Sequence, residues 1–281
     1  MRLAGGSGRA EEWVLVLVSA GIECRVDRTP EGYAVLVSAA DAARAIWAVE
    51  AYERENRPVP VTVPPPVVDH GGKWAGFVMG AVLVLAFRFT GGRGEASSWF
   101  VAGAADAHDI LDGEWWRTIT ALTLHSDPSH LIGNLVGGVL LAMAVCRTVG
   151  PGLGAWLILL AGAGGNALNA ILRGPPHISV GASTAVLGAV GVLSGLASVR
   201  AIRDGAGIGR AWIPFAAGLG LLAMIGAGES TDLGAHFFGF LVGVVMGAGA
   251  ALIPVPGLRT QRVLAALALA VVPIAWFLAL R

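Results

Sequence analysis

Three short polar clusters interrupt apolar stretches of this chain, and their residue types suit acyl-transfer chemistry. They are His125-x4-His130-x3-Asn134, Gly181-Ala182-Ser183 and Asp232-x3-His236-x2-Gly239. A serine hydroxyl becomes a useful nucleophile when a neutral histidine takes its proton. Acyl transfer also needs hydrogen-bond donors aimed at the developing oxyanion. We therefore expect Ser183 as nucleophile, His236 as general base, and His130, Asn134 and the Ser183 N–H as oxyanion donors.

The spacing within and between these clusters indicates how helices position them. His130 and Asn134 are four residues apart and share a helix face. His236 lies four residues after Asp232, about 6 Å along a helix. Small residues let two helices approach closely. Such residues follow each other at helical spacing in two segments: Ala235, Gly239, Gly243 and Gly247 in one, and Gly181, Ala185 and Gly188 in the other. If these helices are neighbours, Ser183 and His236 come within reach.

The composition predicts an all-α polytopic membrane protein. Hydrophobic residues make up 55% of the 281 residues, charged residues 14%, and mean hydropathy is +0.71. A soluble domain carries about a quarter charged residues. A membrane-spanning helix needs roughly 20 apolar residues. Seven segments are candidates, of which the first and the fifth are short: 74–90, 128–146, 153–172, 181–200, 211–228, 232–253 and 262–280.

The charges and prolines divide the chain into four parts. We expect a small soluble α+β domain over 1–57, a proline-rich linker over 58–73, a membrane core over 74–253 and an additional C-terminal transmembrane helix over 254–281. In the soluble domain the sequence predicts strands at Glu23–Val26 and Tyr33–Val37, and a helix capped by Asp41. Trp13–Ala20 fits either a helix or a strand.

Arginine and lysine in the loops predict the orientation, because cytoplasmic loops carry an excess of both. With a cytoplasmic N-terminus, the inner loops contain Lys73, Arg147, Arg200, Arg203, Arg210, Arg259 and Arg262. The outer loops then contain only Arg93, Arg117 and Arg173. This distribution favours a cytoplasmic N-terminus and an outer C-terminus. The three polar clusters then lie near the outer membrane face.

The motifs together resemble the rhomboid family of intramembrane serine proteases. The matching residues, within about 74–253, are Trp116-Arg117, His125-x4-His130-x3-Asn134, Gly181-x-Ser183 and Ala235-His236-x2-Gly239-x3-Gly243. The sequence departs from the family pattern at Thr184, where glycine is frequent, at Leu187, where an aromatic residue is frequent, and at Cys146-Arg147, where an acidic residue is typical.

The resemblance implies a six-helix core with a seventh helix appended, located in the cell membrane. It implies that a Ser183/His236 dyad cleaves transmembrane segments of membrane proteins in the lipid bilayer, without an acidic third member. The resemblance also assigns His130 and Asn134 to the oxyanion hole. Trp116 and Arg117 would belong to a membrane-dipping loop. His125, Gly181, Gly239 and Gly243 would be structural residues near the site.

Simpler interpretations exist for each residue taken alone. Ser183 could be a packing residue, and His236 could be satisfied across a helix interface. The role of triad acid fits Asp232 less well than the role of N-cap of the sixth span, which it would share with Ser230 or Thr231. Asn166 and Asn169 more readily join helices than bind substrate. His70, His108 and His177 lie in loops without metal-ligand spacing.

Two other functions compete with proteolysis. An inactive relative that binds membrane proteins would be expected to lack the serine or the histidine, and a transporter would show inverted repeats or several intramembrane charges. Nucleic acid is excluded as a partner by a net charge of +0 without a basic stripe. Cys24 and Cys146 are far apart, and we expect neither a metal nor a cofactor. The oligomeric state is left open.

The predicted orientation can be tested by labelling single cysteines from either side of the membrane. With Cys24 and Cys146 replaced, Thr260→Cys should react only from the cytoplasmic side, and Arg281→Cys only from the outer side. Reaction of both from the same side would show that the last segment does not cross the membrane.

Overall fold

A computed structural model describes residues 2–4, 6–30, 32–56, 70–93, 97–225 and 232–281. The chain forms two compact units, 1–65 and 66–281. Most of the proline-rich segment, residues 58–69, lies outside the described residues, as do Ser230 and Thr231.

The first unit is a small sheet with two helices. In chain order its elements are β1 (Arg2–Ala4), α1 (Ser7–Ser19), β2 (Cys24–Thr29), β3 (Gly32–Val37) and α2 (Ala42–Glu55). The strands are antiparallel in the order β1-β3-β2. Helix α1 resolves the alternative left open for Trp13–Ala20, since it buries Ala10, Trp13 and Leu17 at helical spacing.

The capping prediction for Asp41 is wrong. Asp41 occupies the N-cap position of α2, but its carboxylate accepts no backbone N–H of that helix. It binds Arg44 Nη1 at 2.8 Å and Ser38 Oγ at 2.9 Å instead. These neighbouring donors compete with the helix N-terminus for the same carboxylate.

The second unit is a bundle of long apolar helices with short elements between them. In chain order it contains α3 (Lys73–Thr90), α4 (Ser98–Gly103), β4 (Ala105–Asp106), α5 (Ala107–Leu111), α6 (Arg117–Thr120), a 3-10 helix (Ala121–Thr123), α7 (Pro128–Val149), α8 (Pro151–Arg173), β5 (Ile178–Ser179), α9 (Ser183–Arg203), α10 (Gly207–Ala211), α11 (Ile213–Ile225), α12 (Leu233–Ala250) and α13 (Leu258–Ala279). Among the described residues, 7 helical segments are long and apolar enough to cross a membrane, with α10 and α11 forming one of them. The prediction of an all-α polytopic membrane protein with a small N-terminal α+β unit is confirmed.

Helices α9 and α12 pack with their backbones nearly in contact. Gly239 and Gly243 of α12 face α9 so closely that an added Cβ would collide with the backbone carbonyls of Thr184 and Gly188. Gly191 and Gly195 of α9 meet the backbone of α12 in the same way. Only glycine permits such an approach, because any side chain would force the helices apart.

The seventh span, α13, is joined to the bundle by buried polar contacts at both ends. Near its start, Gln261 accepts the N–H groups of Gly152 and Leu153 at 2.7 and 3.0 Å. Its amide also donates to the Val149 carbonyl at 2.8 Å. Near its end, Trp276 donates its indole N–H to Thr123 Oγ1 at 3.0 Å. In an apolar surrounding such bonds fix the rotation and height of a helix.

A polar cluster around Asp232 connects α8, the α8–α9 loop and the start of α12. The Asp232 carboxylate accepts the Ala235 N–H at 3.1 Å, so the predicted N-cap role is confirmed. It also binds His177 Nε2 at 2.6 Å and Asn169 Nδ2 at 2.7 Å, with Arg173 Nη1 at 3.3 Å. The interpretation of Asn169 as a residue that joins helices agrees with these contacts.

Burial alone would raise the pKa of Asp232. Hydrogen bonds from the Ala235 N–H, the His177 ring and the Ser179 side chain outweigh that effect and hold this pKa below its usual range. A carboxylate whose pKa is lowered in the folded state stabilises the fold at pH values above its unfolded-state pKa. That stabilisation is lost as the pH falls through the folded-state pKa.

Asp232→Asn should therefore lower the melting temperature of the detergent-purified protein at pH 7. The expected loss is about 1–3 kcal/mol, since asparagine still caps a helix but carries no charge for these donors. The deficit should shrink as the pH falls below about 4 and through the lowered folded-state pKa, because the wild-type carboxyl then becomes protonated too. Asp204→Asn, at an exposed aspartate after α9, is the matched control. A deficit that stays constant with pH would contradict the account.

Candidate active site

Ser183 and His236 lie within hydrogen-bonding distance at the adjoining N-terminal ends of α9 and α12. The distance from His236 Nε2 to Ser183 Oγ is 2.7 Å. Ser183 is the first residue of α9 and half-buried, whereas His236 is only 4% exposed. A base at 2.6–3.2 Å from a hydroxyl can take its proton directly. The glycine contacts between α9 and α12 bring the two side chains to this distance.

The backbone turn before Ser183 carries the other two predicted residues close by. Gly181 has φ +119°, a conformation that favours glycine. A Cβ added there would lie 2.6 Å from His130 Nε2 and 3.6 Å from Asn134 Nδ2. His130 and Asn134 of α7 therefore lie against the turn that leads into Ser183. The Gly181 N–H donates to the Ala121 carbonyl at 2.9 Å, which ties this turn to the 3-10 helix.

Asn134 presents an amide donor without a partner among the described residues. The side chain is buried, 6% exposed, and its Nδ2 makes no hydrogen bond there. A buried donor left unpaired costs about 1–3 kcal/mol, so a binding role is one reason for keeping it. Its location near the Gly181 turn makes it available to a group bound at Ser183.

His130 is oriented by the start of α7. Asp127, the N-cap of α7, accepts the His130 N–H at 2.9 Å and also binds the Ser129 hydroxyl. These two contacts, with the hydroxyl contributing most, lower the pKa of Asp127. The Ser126 N–H approaches His130 Nδ1 at 3.4 Å. With Nδ1 as the acceptor, the proton resides on Nε2, the atom that faces Gly181.

His125 is buried and its ring packs against that of His130. It is 0% exposed, its ring lies 5.2 Å from that of His130, and Nδ1 is 3.3 Å from the Thr123 carbonyl. Burial, together with neighbouring His130, lowers its pKa to about 4. His125 is therefore neutral at pH 7, which suits an imidazole packed against a second one.

Trp116 and Arg117 belong to the folded segment between α3 and α7. Arg117 is 7% exposed and pairs with Asp109 at 2.8 Å and Glu114 at 2.5 Å. Its guanidinium also donates to the Val101 carbonyl at 2.8 Å. Arg117 thus joins α4, α5 and α6. It has no contact with Ser183 in the described part of the chain, and its role is to hold this segment together.

The two departures near Ser183 are accommodated by packing. Thr184 is 2% exposed, and its methyl group faces the positions of Gly165 and Gly239. Leu187 is also 2% exposed and belongs to an apolar cluster with Val190, Leu222 and Phe240. Thr184 therefore fills a space next to two glycines. Leu187 packs in the cluster that contains Phe240, which lies one helical turn after His236.

Three residues that matter for this geometry were given no such role in the sequence analysis. Asp127 caps α7, Thr123 accepts from both Trp276 and His125, and His177 binds Asp232. Asp127 before Pro128 is a recognisable helix-start pattern. No local pattern connects Trp276 with Thr123 or His177 with Asp232, because these pairs are remote in sequence. Within the described ranges no group of three or more His, Cys, Asp or Glu side chains could hold a metal ion.

Comparison with known proteins places this arrangement in a family. Residues 112–252, just over half of the chain, match the family model of the Rhomboid domain. The chain is 32% identical over 116 residues to rhomboid protease GluP of Bacillus subtilis, covering 40% of this chain and 22% of the relative. It is 30% identical over 145 residues to rhomboid-like protease 3 of Toxoplasma gondii, covering 51% and 55%.

A third relative is RHOMBOID-like protein 6, mitochondrial, of Arabidopsis thaliana, at 35% identity over 92 residues, covering 32% of this chain and 30% of the relative. The matched part is thus less than two thirds of each relative's length. The family match includes the described polar clusters of α7, α9 and α12. The chain belongs to the rhomboid family and is a multi-pass membrane protein.

Proposed function

We propose that this chain is an intramembrane serine endopeptidase that cleaves transmembrane segments of membrane proteins. The observation that carries the proposal is the 2.7 Å distance between Ser183 Oγ and His236 Nε2. The pair lies at the start of two helices that are long and apolar enough to cross a membrane. Two relatives whose names include the word protease share the family. An inactive relative or a transporter would have no use for this pairing.

The chemistry follows from the two side chains. His236 Nε2 takes the hydroxyl proton as Ser183 Oγ attacks the scissile carbonyl carbon, and the carbonyl oxygen becomes an oxyanion. The imidazolium then donates its proton to the leaving amine, and the C–N bond breaks. Water, activated by the neutral His236, hydrolyses the acyl-enzyme ester and restores the Ser183 hydroxyl.

In the proposed mechanism three donors bind this oxyanion. They are the Ser183 backbone N–H at the start of α9, Asn134 Nδ2 and His130 Nε2. The α9 N-terminus adds the positive end of its helix dipole. Because these groups are held by the Gly181 turn and the capped start of α7, they need little reorganisation when the charge develops.

Asp232 supports His236 as a positioning residue in this proposal. Its carboxylate caps α12 one turn before His236, and its charge is committed to Ala235, His177 and Asn169. It fixes the height and rotation of the helix start relative to the loop that leads to Ser183. The dyad then works without Asp232 acting as its acid.

The substrates fit the location of the site. In a transmembrane helix the backbone carbonyls are hydrogen-bonded, so a segment must unwind before serine attacks it. We propose that small or helix-destabilising residues near the outer membrane face mark the cleaved segments. We further propose residence in the cell membrane, with the soluble unit of residues 1–57 in the cytoplasm, the core over 74–253 and the appended helix over 254–281.

Ser183→Ala and His236→Ala should each abolish cleavage of a model transmembrane substrate in proteoliposomes. The loss expected for either change is on the order of 10⁶ in kcat, and the double variant should lose little more, because the residues act as a unit. Thr184→Ser, which keeps a hydroxyl next to Ser183, is the matched control and should retain cleavage. Near-normal cleavage by Ser183→Ala would refute the assignment.

Asn134→Ala should lower kcat by roughly 10²–10³, because an oxyanion donor acts mainly in the transition state. KM should change little, and the melting temperature should stay close to that of the wild type. Asn166→Ala is the structural control. Asn166 is buried like Asn134, but its Nδ2 donates to the Thr118 carbonyl at 3.0 Å. That variant should melt lower.

Kinetics and melting on the same purified samples separate the two roles. If Asn134→Ala loses activity only in proportion to a lower melting temperature, the Asn134 side chain joins helices and does not bind the oxyanion.

A further inference from the structure

An apolar cavity runs through the bundle between the first and the last spanning helices. It has a volume of about 350 Å³. Helix α3 contributes Trp74 at one end of the cavity and Leu83 at the other, and α13 contributes Ala265 and Val272. Ala182 and Ala185, on either side of Ser183 in sequence, line its inner wall. No charged side chain is among the described residues that line it.

The cavity is open sideways toward the surroundings of the bundle. Helix α3 packs mainly on α7, and α13 packs mainly on α8, so the two stay apart across the cavity. Val78 of α3 and Leu269 of α13 line it and are 43% and 48% exposed. Both lie within spanning segments. The opening therefore faces the hydrocarbon layer, where lipid tails are the solvent.

The length and the lining of the cavity fit an acyl chain. Trp74 to Leu83 is nine helical steps, so the cavity extends over about 13 Å. A single extended hydrocarbon chain fits along that length and matches the apolar lining, and it is the molecule that the bilayer supplies at the opening.

We propose that this cavity is a specific binding site for one acyl chain of a membrane phospholipid. The acyl chain enters between α3 and α13 and extends along Leu122 and Thr123 toward Ala182. Dispersion contacts with the cavity wall hold it, since an empty apolar void would forfeit them. Its end contacts the 3-10 helix whose Ala121 carbonyl holds the Gly181 N–H. The occupant differs from the surrounding lipid in being enclosed by the bundle.

The proposal can be tested in proteoliposomes with a phospholipid that carries a photoreactive diazirine on one acyl chain. After illumination, peptide mapping should find label at cavity residues of α3, α13 and the 3-10 helix. Ala265→Phe places a ring where the acyl chain would lie and should reduce that label roughly tenfold, because the ring and the acyl chain cannot occupy the cavity together. Ala266→Phe, at the next and exposed position of the same helix, should leave the label unchanged.

The readout is binding and does not depend on Ser183 being catalytic, so it can fail or succeed apart from the proposed protease activity. Equal labelling of the exposed residues Val136 and Leu140, unaltered by Ala265→Phe, would show ordinary surrounding lipid and overturn the proposal. A disulfide-linked dimer formed through Val78→Cys in a protein lacking Cys24 and Cys146 would show that a second copy covers the opening. That result would overturn the proposal as well.

Discussion

The approach of α9 to α12 is the contact on which the rest of the site depends. Gly239 and Gly243 let the α12 backbone meet the carbonyls of α9, and glycines of α9 return the contact. Because Ser183 and His236 lie at the starts of these two helices, the helix separation sets the distance between their side chains. A methyl group at Gly239 would separate the helices next to Thr184, one residue from Ser183.

Polar groups at the starts of the spanning helices are the second constraint. Water is scarce inside a bilayer, so free N–H groups there must be satisfied by the protein. Asp127 and Asp232 do this for α7 and α12, where their carboxylates accept the N–H groups of His130 and of Ala235, the residue before His236. The start of α9 is arranged differently, because Ala182 makes no side-chain cap. In the proposed mechanism the N–H groups at this helix start bind the oxyanion.

Sequence patterns were sufficient for the architecture because hydropathy and small-residue spacing are local properties. They predicted the spanning segments, the meeting of Ser183 with His236 and the N-cap role of Asp232. The Asp41 cap was predicted from the same kind of pattern and failed, because Arg44 and Ser38 bind that carboxylate first. The contacts of His177, Gln261 and Trp276 depend on how distant segments pack, and no local pattern contains that information.

The central claim is that Ser183 is a nucleophile activated by His236. Its most direct test is labelling of the purified protein with a fluorophosphonate probe, followed by peptide mapping of the phosphonylated residue. The account predicts a single modified residue, Ser183, and labelling that nearly stops in His236→Ala while the fold is retained. Labelling of another residue, or an undiminished rate at Ser183 in His236→Ala, would contradict it.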